Sequence, residues 1–448
     1  MSSTAAIPES SPAVRRKAAV ATGTGNFMEW FDFAVYGFVA TSIGRAFFPT
    51  ESPTISLLSA LAVFGVAFFL RPLGGFILGW VGDRFGRRPA LATSIIIMGV
   101  ATTLIAALPT YATIGVAAPV LLVVLRCLQG LSVGGEWTSS SAFLVEQAPG
   151  HRRGLYASVI SMTAALGGLA GGLAGLLLSL SMSSEALDAW GWRMPFLVAA
   201  PLTAVGLYLR LKLDETPVFQ QLRREERVSR NPIRSASSRN WRQIGLVLAA
   251  ASVMGLGYYY LVTFTVNFLS ENAGFTRTSA LVFVSIGLAI YAMLCPFAGL
   301  LSDRIGRRPV LIAGSAGFLV LGVPAFALMG QGSVGLALTA LILLAVCEAL
   351  ANVPTVAALV ELFPPSTRVT GSAIGYNLGL AFIAGPGPFI GGALVAATGL
   401  GISPAFYLCG VALLGGVVLL AFLPETGRVA LAADEPLHAE RPEPTTTT

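Results

Sequence analysis

The stretch that decides the fold is a short charged turn between two apolar runs, Gly79-Trp80-Val81-Gly82-Asp83-Arg84-Phe85-Gly86-Arg87-Arg88. Its spacing, Gly-x-x-x-Asp-Arg-x-Gly-Arg-Arg, returns much later in the chain as Gly299-Leu300-Leu301-Ser302-Asp303-Arg304-Ile305-Gly306-Arg307-Arg308. Each copy is followed by a proline and another apolar run. A repeat whose period is about half the chain indicates two similar halves and not an array of small units.

The composition is that of a membrane protein. The 448 residues are 55% hydrophobic and 11% charged, whereas soluble domains are about 25% charged. The net charge of +6 does not indicate a nucleic-acid partner, because the basic residues lie in short gaps between apolar runs. The four cysteines lie within apolar runs and lack Cys-x-x-Cys spacing, so we expect neither a disulfide framework nor a metal site.

The apolar runs predict an all-α integral membrane protein with twelve transmembrane helices in two pseudo-symmetric bundles of six. Glu146 and Glu361, and likewise Glu215 and Glu425, occupy matching places in the two halves. Most basic residues fall on one side of this arrangement, so both termini are expected in the cytosol. The expected parts are a cytosolic leader at 1–17, an N-terminal bundle at 18–213, a cytosolic central loop at 214–242, a C-terminal bundle at 243–425 and a disordered cytosolic tail at 426–448.

Charged residues inside the predicted helices are the first candidates for function, because each costs about 2.5–3.5 kcal/mol in the middle of a bilayer. These residues are Glu29, Asp32, Glu136, Glu348, Arg71 and Arg126. Full ionisation would leave two excess negative charges, so we expect the four acids to include a proton-coupling site that is protonated part of the time. A cationic group on a substrate could balance another acid. The alternative is that the acids pair with arginines and backbone donors only to fix helix positions.

Three motifs resemble the signatures of the metabolite:proton symporter family of the major facilitator superfamily. They are Asn26-Phe27-Met28-Glu29-Trp30-Phe31-Asp32-Phe33-Ala34-Val35-Tyr36-Gly37-Phe38, Arg71-Pro72-Leu73-Gly74-Gly75 and Gln129-Gly130-Leu131-Ser132-Val133-Gly134-Gly135-Glu136. The sequences of these motifs are most similar to those of the proline/betaine branch, and the resemblance covers essentially residues 18–425. It implies two six-helix bundles, a central site lined by the first, fourth, seventh and tenth helices, and alternating access by rocking. The chain lacks the long carboxy-terminal coiled coil of osmosensing members, so osmotic activation of that type is not expected.

Two kinds of substrate group fit the residues on those helices. Aromatic faces near a carboxylate suit a quaternary or secondary ammonium, through a cation–π attraction of about 0.5–2 kcal/mol. Arg126, with or without Arg71, could instead clamp a carboxylate through a bidentate pair, and a zwitterion could use both features. Aromatic residues at helical spacing also occur as ordinary packing. The substrate-binding candidates are Trp30, Phe31, Arg71, Arg126, Gln129, Tyr258, Tyr259, Tyr260, Phe264, Asn267 and Tyr376.

The repeated turn has a mechanical interpretation. Asp83, at a cytosolic helix end among arginines, can accept charge-assisted hydrogen bonds or cap a neighbouring helix, and Gly86 permits a chain reversal. Such bonds would form a latch that holds the cytosolic side shut; the alternative is a basic loop that only sets topology. The gate candidates are Gly79, Asp83, Arg84, Gly86, Arg87, Arg88, Asp303, Arg304, Gly306, Arg307 and Arg308.

Together these features predict a proton-coupled symporter of the cell membrane, working as a monomer, that imports a zwitterionic compatible solute or a small carboxylate. The sequence contains no Walker motif, dinucleotide turn or zinc spacing, so we expect a proton gradient as the energy source, with no cofactor, metal or nucleotide. No nucleophile–base set indicates an enzyme. Proton-coupled efflux and a solute sensor that does not transport remain as alternatives.

Overall fold

The computed structural model describes residues 10–427 and 429–431. Over these residues the chain is helical apart from its turns and contains no strand. Residues 1–9 of the predicted leader and most of the predicted disordered tail at 426–448 lie outside the described residues.

Twelve long helices cross the molecule in alternating directions, six in each half of the chain. The N half, named for its position in the chain, comprises α1 (Pro12–Phe47), α2 (Pro53–Arg84), α3 (Arg87–Ala107), α4 (Ala117–Gln147), α5 (Arg153–Ser181) and α6 (Met194–Leu211). The C half comprises α7 (Trp241–Glu271), α8 (Arg277–Ile305), α9 (Arg307–Met329), α10 (Val334–Glu361), α11 (Arg368–Thr398) and α12 (Ser403–Phe422).

Two of these helices are interrupted by wider turns. The interruptions are π-helical, at Tyr260–Phe264 in α7 and Leu380–Ala384 in α11. The predicted central loop carries two short helices, Pro217–Arg224 and Pro232–Arg239.

Eleven of the described helices are long and apolar enough to span a membrane. The remaining long helix, α1, is less apolar because it buries polar side chains, including Asn26, Glu29 and Asp32. It packs along α2 and α5 like a spanning helix, which completes the predicted twelve. Large apolar side chains such as Leu180 and Phe389 point outward, as expected for a protein surrounded by lipid.

Helix α1 begins before the apolar run that predicted it. Ser11 accepts a hydrogen bond from the backbone N–H of Val14 at 3.4 Å, and Pro12 occupies the first turn, where its missing N–H costs nothing. Backbone hydrogen bonds extend a helix through polar residues as readily as through apolar ones. Residues 12–17, predicted as leader, are therefore the first turns of α1.

The glycines of the second and third quoted motifs hold α2 against α4. A β-carbon at Gly74 would lie 2.0 Å from the carbonyl oxygen of Leu131, and one at Gly134 would lie 2.0 Å from that of Arg71. Only glycine allows the two backbones to approach this closely. The contact fixes Arg71 beside the interior face of α4.

The two halves meet along matching pairs of helices, α2 with α11 and α5 with α8. Both copies of the repeated turn lie at one end of the molecule, which we call the signature end. The opposite end carries the loops that begin after Phe47 and Ser181. The functional candidates divide between the middle of this interface and its signature end.

Candidate functional site

A central cavity lies between the two halves. Its wall is mainly aromatic, with contributions from both halves. The aromatic lining residues are Trp30, Trp137, Tyr258, Tyr259, Tyr291 and Tyr376.

The rings of the central cavity contact one another across the interface. Trp30 meets Tyr258 edge-on at 4.8 Å between ring centroids, and Trp137 stacks on Tyr376 at 5.5 Å with an interplanar angle of 8°. Trp30 and Trp137 are themselves 6.5 Å apart. Such ring faces attract cations and exclude water, so the cavity suits a small solute with a positively charged, apolar end.

Arg71 lies behind one part of this wall and is incompletely paired. Its Nη1 donates a 3.4 Å hydrogen bond to the hydroxyl of Tyr259, and its guanidinium carbon stands 4.4 Å from the ring centroid of Phe68. Among the residues that the structure describes, neither its Nε nor its Nη2 has a hydrogen-bond partner. This buried cation therefore retains free donors for an anionic group.

Glu348 lies behind another part of the wall. Its Oε1 accepts a 2.8 Å hydrogen bond from Asn352, whose own amide oxygen accepts a 2.7 Å bond from Ser161 of the other half. Its Oε2 has no hydrogen-bond partner within the described parts of the chain. A β-carbon at Gly257 would lie 2.5 Å from this Oε2, so glycine at that position leaves room for the carboxyl group.

Asp32 and Arg126 form a buried pair inside the N half. Arg126 Nη1 lies 3.5 Å from Asp32 Oδ2 and donates a 2.6 Å hydrogen bond to Gln129, which in turn donates a 2.9 Å bond to Asp32. The guanidinium also lies 4.0 Å from the ring centroid of Tyr36. Arg126 and Gln129 are therefore engaged with Asp32 and are not part of the wall of the central cavity.

A second cavity lies within the N half beside Glu29 and Glu136. Glu136 forms an ion pair with Arg210 and accepts a hydrogen bond from Ser94. Glu29 has no salt bridge among the pairs found in residues 10–427 and 429–431, and its Oε2 lacks a hydrogen-bond partner there.

Arg210 corrects the charge balance that the sequence predicted. The sequence assigned it to the cytosolic side, but it is fully buried, and its Nη1 donates a 2.5 Å hydrogen bond to the carbonyl of Leu91. The last turn of α6 packs on α1 and α3, which directs this side chain inward. Four interior acids therefore face three arginines, which leaves one excess negative charge instead of two.

Besides Arg126 and Gln129, four predicted substrate-binding residues lie away from the central cavity. Phe31 stacks on Phe27 within the N half, while Tyr260 and Phe264 pack together with Phe326 inside the C half. Successive helical residues point about 100° apart, so Tyr258 and Tyr259 face the cavity while Tyr260 turns away. Asn267 is exposed, about 12 Å along α7 from Tyr259 toward the opposite end.

Sequence reasoning missed three aromatic or polar residues of the cavity wall, Trp137, Tyr291 and Asn352. Two of these residues could have been identified from their positions in the sequence. Trp137 directly follows Glu136, and Asn352 lies one helical turn after Glu348, on the same face. Tyr291 lies in an otherwise apolar stretch of α8, and nothing around it in the sequence marks it.

At the signature end, each repeated aspartate caps a helix of the opposite half. Asp83 accepts hydrogen bonds from the backbone N–H groups of Val369 and Thr370, at 3.1 and 2.8 Å, at the start of α11. Asp303 accepts the equivalent bonds from Gly154 and Leu155, at 2.8 and 2.9 Å, at the start of α5. The capping contact that the sequence predicted is thus present twice, and in both cases it joins the two halves.

The second arginine of each repeat extends these caps. Arg87 lies 3.2 Å from Asp83 and 3.1 Å from Glu146, and it donates a 2.7 Å hydrogen bond to the carbonyl of Pro365 in the C half. Arg368 of the C half also reaches Glu146, at 2.7 Å. These buried bonds close the signature end.

The C-half copy has a matching arrangement. Arg307 lies 2.8 Å from Asp303 and 3.3 Å from Glu361, and Arg153 of the N half lies 3.5 Å from Glu361. The other seven gate candidates form no hydrogen bond or ion pair between the halves among the described residues; Arg88 and Arg308, for example, donate to the carbonyls of Leu211 and Leu420 in their own halves. The exposed Arg84 and Arg304 point outward, while Gly86 and Gly306 adopt φ values of +122° and +107° between helices.

Carboxylates also cap helices within each half at this end. Glu215 accepts 3.1 Å hydrogen bonds from the backbone N–H groups of Arg87 and Arg88, and Glu425 does the same for Arg307 and Arg308. Burial raises the pKa of the Glu215 carboxyl, although the backbone donors oppose that shift. These caps hold each half together and do not join one half to the other.

Comparison with known sequences agrees with this architecture. The model of the Major Facilitator Superfamily matches residues 22–375 and, in a second match, 268–445. The proline/betaine transporter of Salmonella typhimurium is 38% identical, over 89% of this chain and 82% of its own length. The glycine betaine/proline/ectoine/pipecolic acid transporter OusA of Dickeya dadantii is 36% identical, over 96% of this chain and 87% of its own.

Solved structures share the fold at lower identity. The proton:xylose symporter XylE bound to 6-bromo-6-deoxy-D-glucose superposes with a TM-score of 0.80 at 20% identity, covering 94% of this chain and 98% of that one. A human organic anion transporter superposes with a TM-score of 0.65, covering 92% of this chain and 100% of its own. These relatives and neighbours are transporters and not enzymes. With twelve packed helices, a repeated helix-capping turn and this family match, the chain belongs to the Major Facilitator Superfamily.

Proposed function

We propose that the protein is a proton-coupled symporter that imports a small zwitterion of the proline/betaine class across the cell membrane by alternating access. The observation that carries the proposal is the central aromatic cavity, with an incompletely paired arginine on one side and an acid without a cation on the other. A zwitterion presents both charges to such a site, while its apolar body fills the space between the rings.

The relatives support the same class of solute, because their names include proline and betaine. The geometry argues less well for a di- or tricarboxylate. Of the two arginines that could have clamped one, Arg126 bonds to Asp32 and Gln129 inside the N half and has no bond to a residue of the cavity wall. Arg71 alone leaves a second carboxylate without a partner inside an apolar cavity, which is costly.

Glu29 and Asp32 are the groups that we assign to the proton. They lie three residues apart on one face of α1, inside the N half, and the three interior arginines cannot neutralise all four interior acids. A proton on one of them removes the excess charge when the site closes. Binding of solute and proton would then favour each other, because each reduces the charge that the other leaves uncompensated.

The signature end is the gate in this proposal, and we place it on the cytosolic side with both termini. Its caps and ion pairs hold the halves together here, so release to the cytosol requires them to break. Rocking of one half against the other would open this end and close the opposite one.

Uptake into proteoliposomes tests the proposal. Labelled proline, glycine betaine, 2-oxoglutarate, citrate and shikimate are offered with and without an inward proton gradient. We expect the gradient to drive accumulation of proline or glycine betaine, with little uptake of the three acids. Accumulation of citrate or 2-oxoglutarate instead would contradict the zwitterion assignment.

Asp32→Asn separates coupling from binding. We expect the variant to lose accumulation against a gradient yet to keep exchange of labelled for unlabelled solute. The matched control is Asp188→Asn, because Asp188 contacts Ser42 and Arg45 near the opposite end, away from both cavities. Unchanged uphill uptake in Asp32→Asn would remove Asp32 from the coupling mechanism.

A further inference from the structure

We propose, on the basis of that function, that Glu348 Oε2 and the hydroxyls of Tyr258 and Tyr291 form a subsite for the N–H groups of the substrate ammonium. This subsite makes the carrier prefer solutes whose ammonium bears N–H groups over fully methylated, quaternary ones. We call it the ammonium subsite.

The three groups share the same unusual condition. Each is at least nine-tenths buried, and none of the three oxygens has a hydrogen-bond partner in the described portions of the chain. The rings of Tyr258 and Tyr291 lie 6.0 Å apart and both line the central cavity. An unsatisfied buried polar atom is unfavourable, so two such hydroxyls in the cavity wall and a carboxylate oxygen behind it indicate that a ligand with donors completes the site.

The charge around the ammonium subsite selects a cation. Glu348 forms no salt bridge among the ion pairs of the described residues, because none of the three interior arginines reaches it. Arg126 and Arg210 pair with acids of the N half, and Arg71 points to Tyr259. Asn352 holds the Glu348 carboxyl in place through the 2.8 Å bond to its Oε1.

The arrangement also orients the solute. Tyr258 and Tyr259 are consecutive on α7, with ring centroids 6.4 Å apart, and they contact different groups. Tyr259 bonds to Arg71, whereas Tyr258 lies beside Tyr291 of the ammonium subsite. A zwitterion therefore lies with its carboxylate toward Arg71 and its ammonium toward Glu348.

The preference follows from hydrogen-bond satisfaction. A secondary ammonium such as that of proline donates N–H bonds to these oxygens, whereas a quaternary ammonium offers only methyl groups and charge. A quaternary solute gains from the aromatic faces and from the Glu348 charge, but it leaves the hydroxyl oxygens unsatisfied. Removal of one hydroxyl should therefore reduce the preference without altering the attraction for charge.

The test compares proline, N-methylproline and N,N-dimethylproline as inhibitors of labelled glycine betaine uptake in proteoliposomes, or of labelled proline uptake if betaine is not carried. This series changes the number of N–H groups and keeps the ring and carboxylate. In Tyr291→Phe, the ratio of half-inhibitory concentrations of proline to N,N-dimethylproline should rise about tenfold, as expected for one lost hydrogen bond.

Tyr260→Phe is the matched control. Its hydroxyl is also buried and without a hydrogen-bond partner in the described structure, but Tyr260 does not line the central cavity. The ratio should stay within about twofold of the unmodified protein. Glu348→Gln should weaken binding of all three compounds together, because it removes the charge that they share.

The outcomes distinguish failure of the ammonium subsite from failure of the proposed function. An unchanged ratio in a folded, transporting Tyr291→Phe variant overturns the ammonium subsite and leaves the proposed function standing. Absence of proline and betaine uptake by the unmodified protein overturns both. If Tyr291→Phe fails to fold, Tyr258→Phe takes its place and the same tenfold change in ratio is expected.

Discussion

Asp83→Asn should open the signature end. The substitution keeps the shape of the side chain but replaces one carboxylate oxygen by an amide group that cannot accept a hydrogen bond. At least one of the two bonds to the start of α11 is lost, together with the 3.2 Å ion pair to Arg87. One charge-assisted bond is worth about 2 kcal/mol, which shifts the balance between closed and open ends roughly thirtyfold.

The assay measures the distance between spin labels placed at Arg84 and Arg304, after replacement of the four native cysteines. Both positions are exposed and they lie on different halves at the signature end. The unmodified protein should give one short distance in the absence of solute. Asp83→Asn should add a population at longer distance, because the cap holds only the closed state together.

Glu215→Gln is the matched control for this experiment. Its carboxylate also accepts two backbone hydrogen bonds at the start of a helix, but both donors belong to its own half. We expect a loss of thermal stability without the longer distance. If both variants opened the end equally, or if Asp83→Asn left the distances of a folded protein unchanged, the cross-half cap would not be the latch.

Two further predictions concern packing and charge inside the N half, and both are measured by thermal unfolding in detergent. Gly74→Ala should destabilise the fold by about 1–3 kcal/mol, because its β-carbon would lie 2.0 Å from the Leu131 carbonyl oxygen. Gly65→Ala, on the same helix with nothing within 4 Å, should be neutral or stabilising; equal losses would contradict the close-contact account. Arg210→Ala should cost about 3–5 kcal/mol by leaving Glu136 buried without its partner. Most of that loss should return in Arg210→Met combined with Glu136→Gln, and a double variant no better than the single one would refute this explanation.

The sequence predicted the architecture well because hydropathy and the repeat are local properties. Apolar runs between charged turns are sufficient to place twelve helices, and the spacing around Asp83 and Asp303 is sufficient to predict caps. The structure adds which helices are capped, since the choice of α11 and α5 depends on how the halves dock. That docking is not encoded in any single segment.

The candidate site was harder to predict, because helix direction alone does not determine which face meets the cavity. The three consecutive tyrosines of α7 are equivalent by composition, yet Tyr258 and Tyr259 reach the cavity and Tyr260 packs behind it. The location of the Arg210 charge was hard to predict for the same reason. Arg210 lies near a helix end in the sequence, but tertiary packing turns it inward to Glu136.

The most direct test of the central claim is to follow the internal pH of proteoliposomes when proline or glycine betaine is added outside without an initial proton gradient. Coupled entry of solute and proton should acidify the interior at a rate that follows solute uptake, and Asp32→Asn should abolish the acidification. Uptake of the solute by the unmodified protein with no change in internal pH would contradict the account.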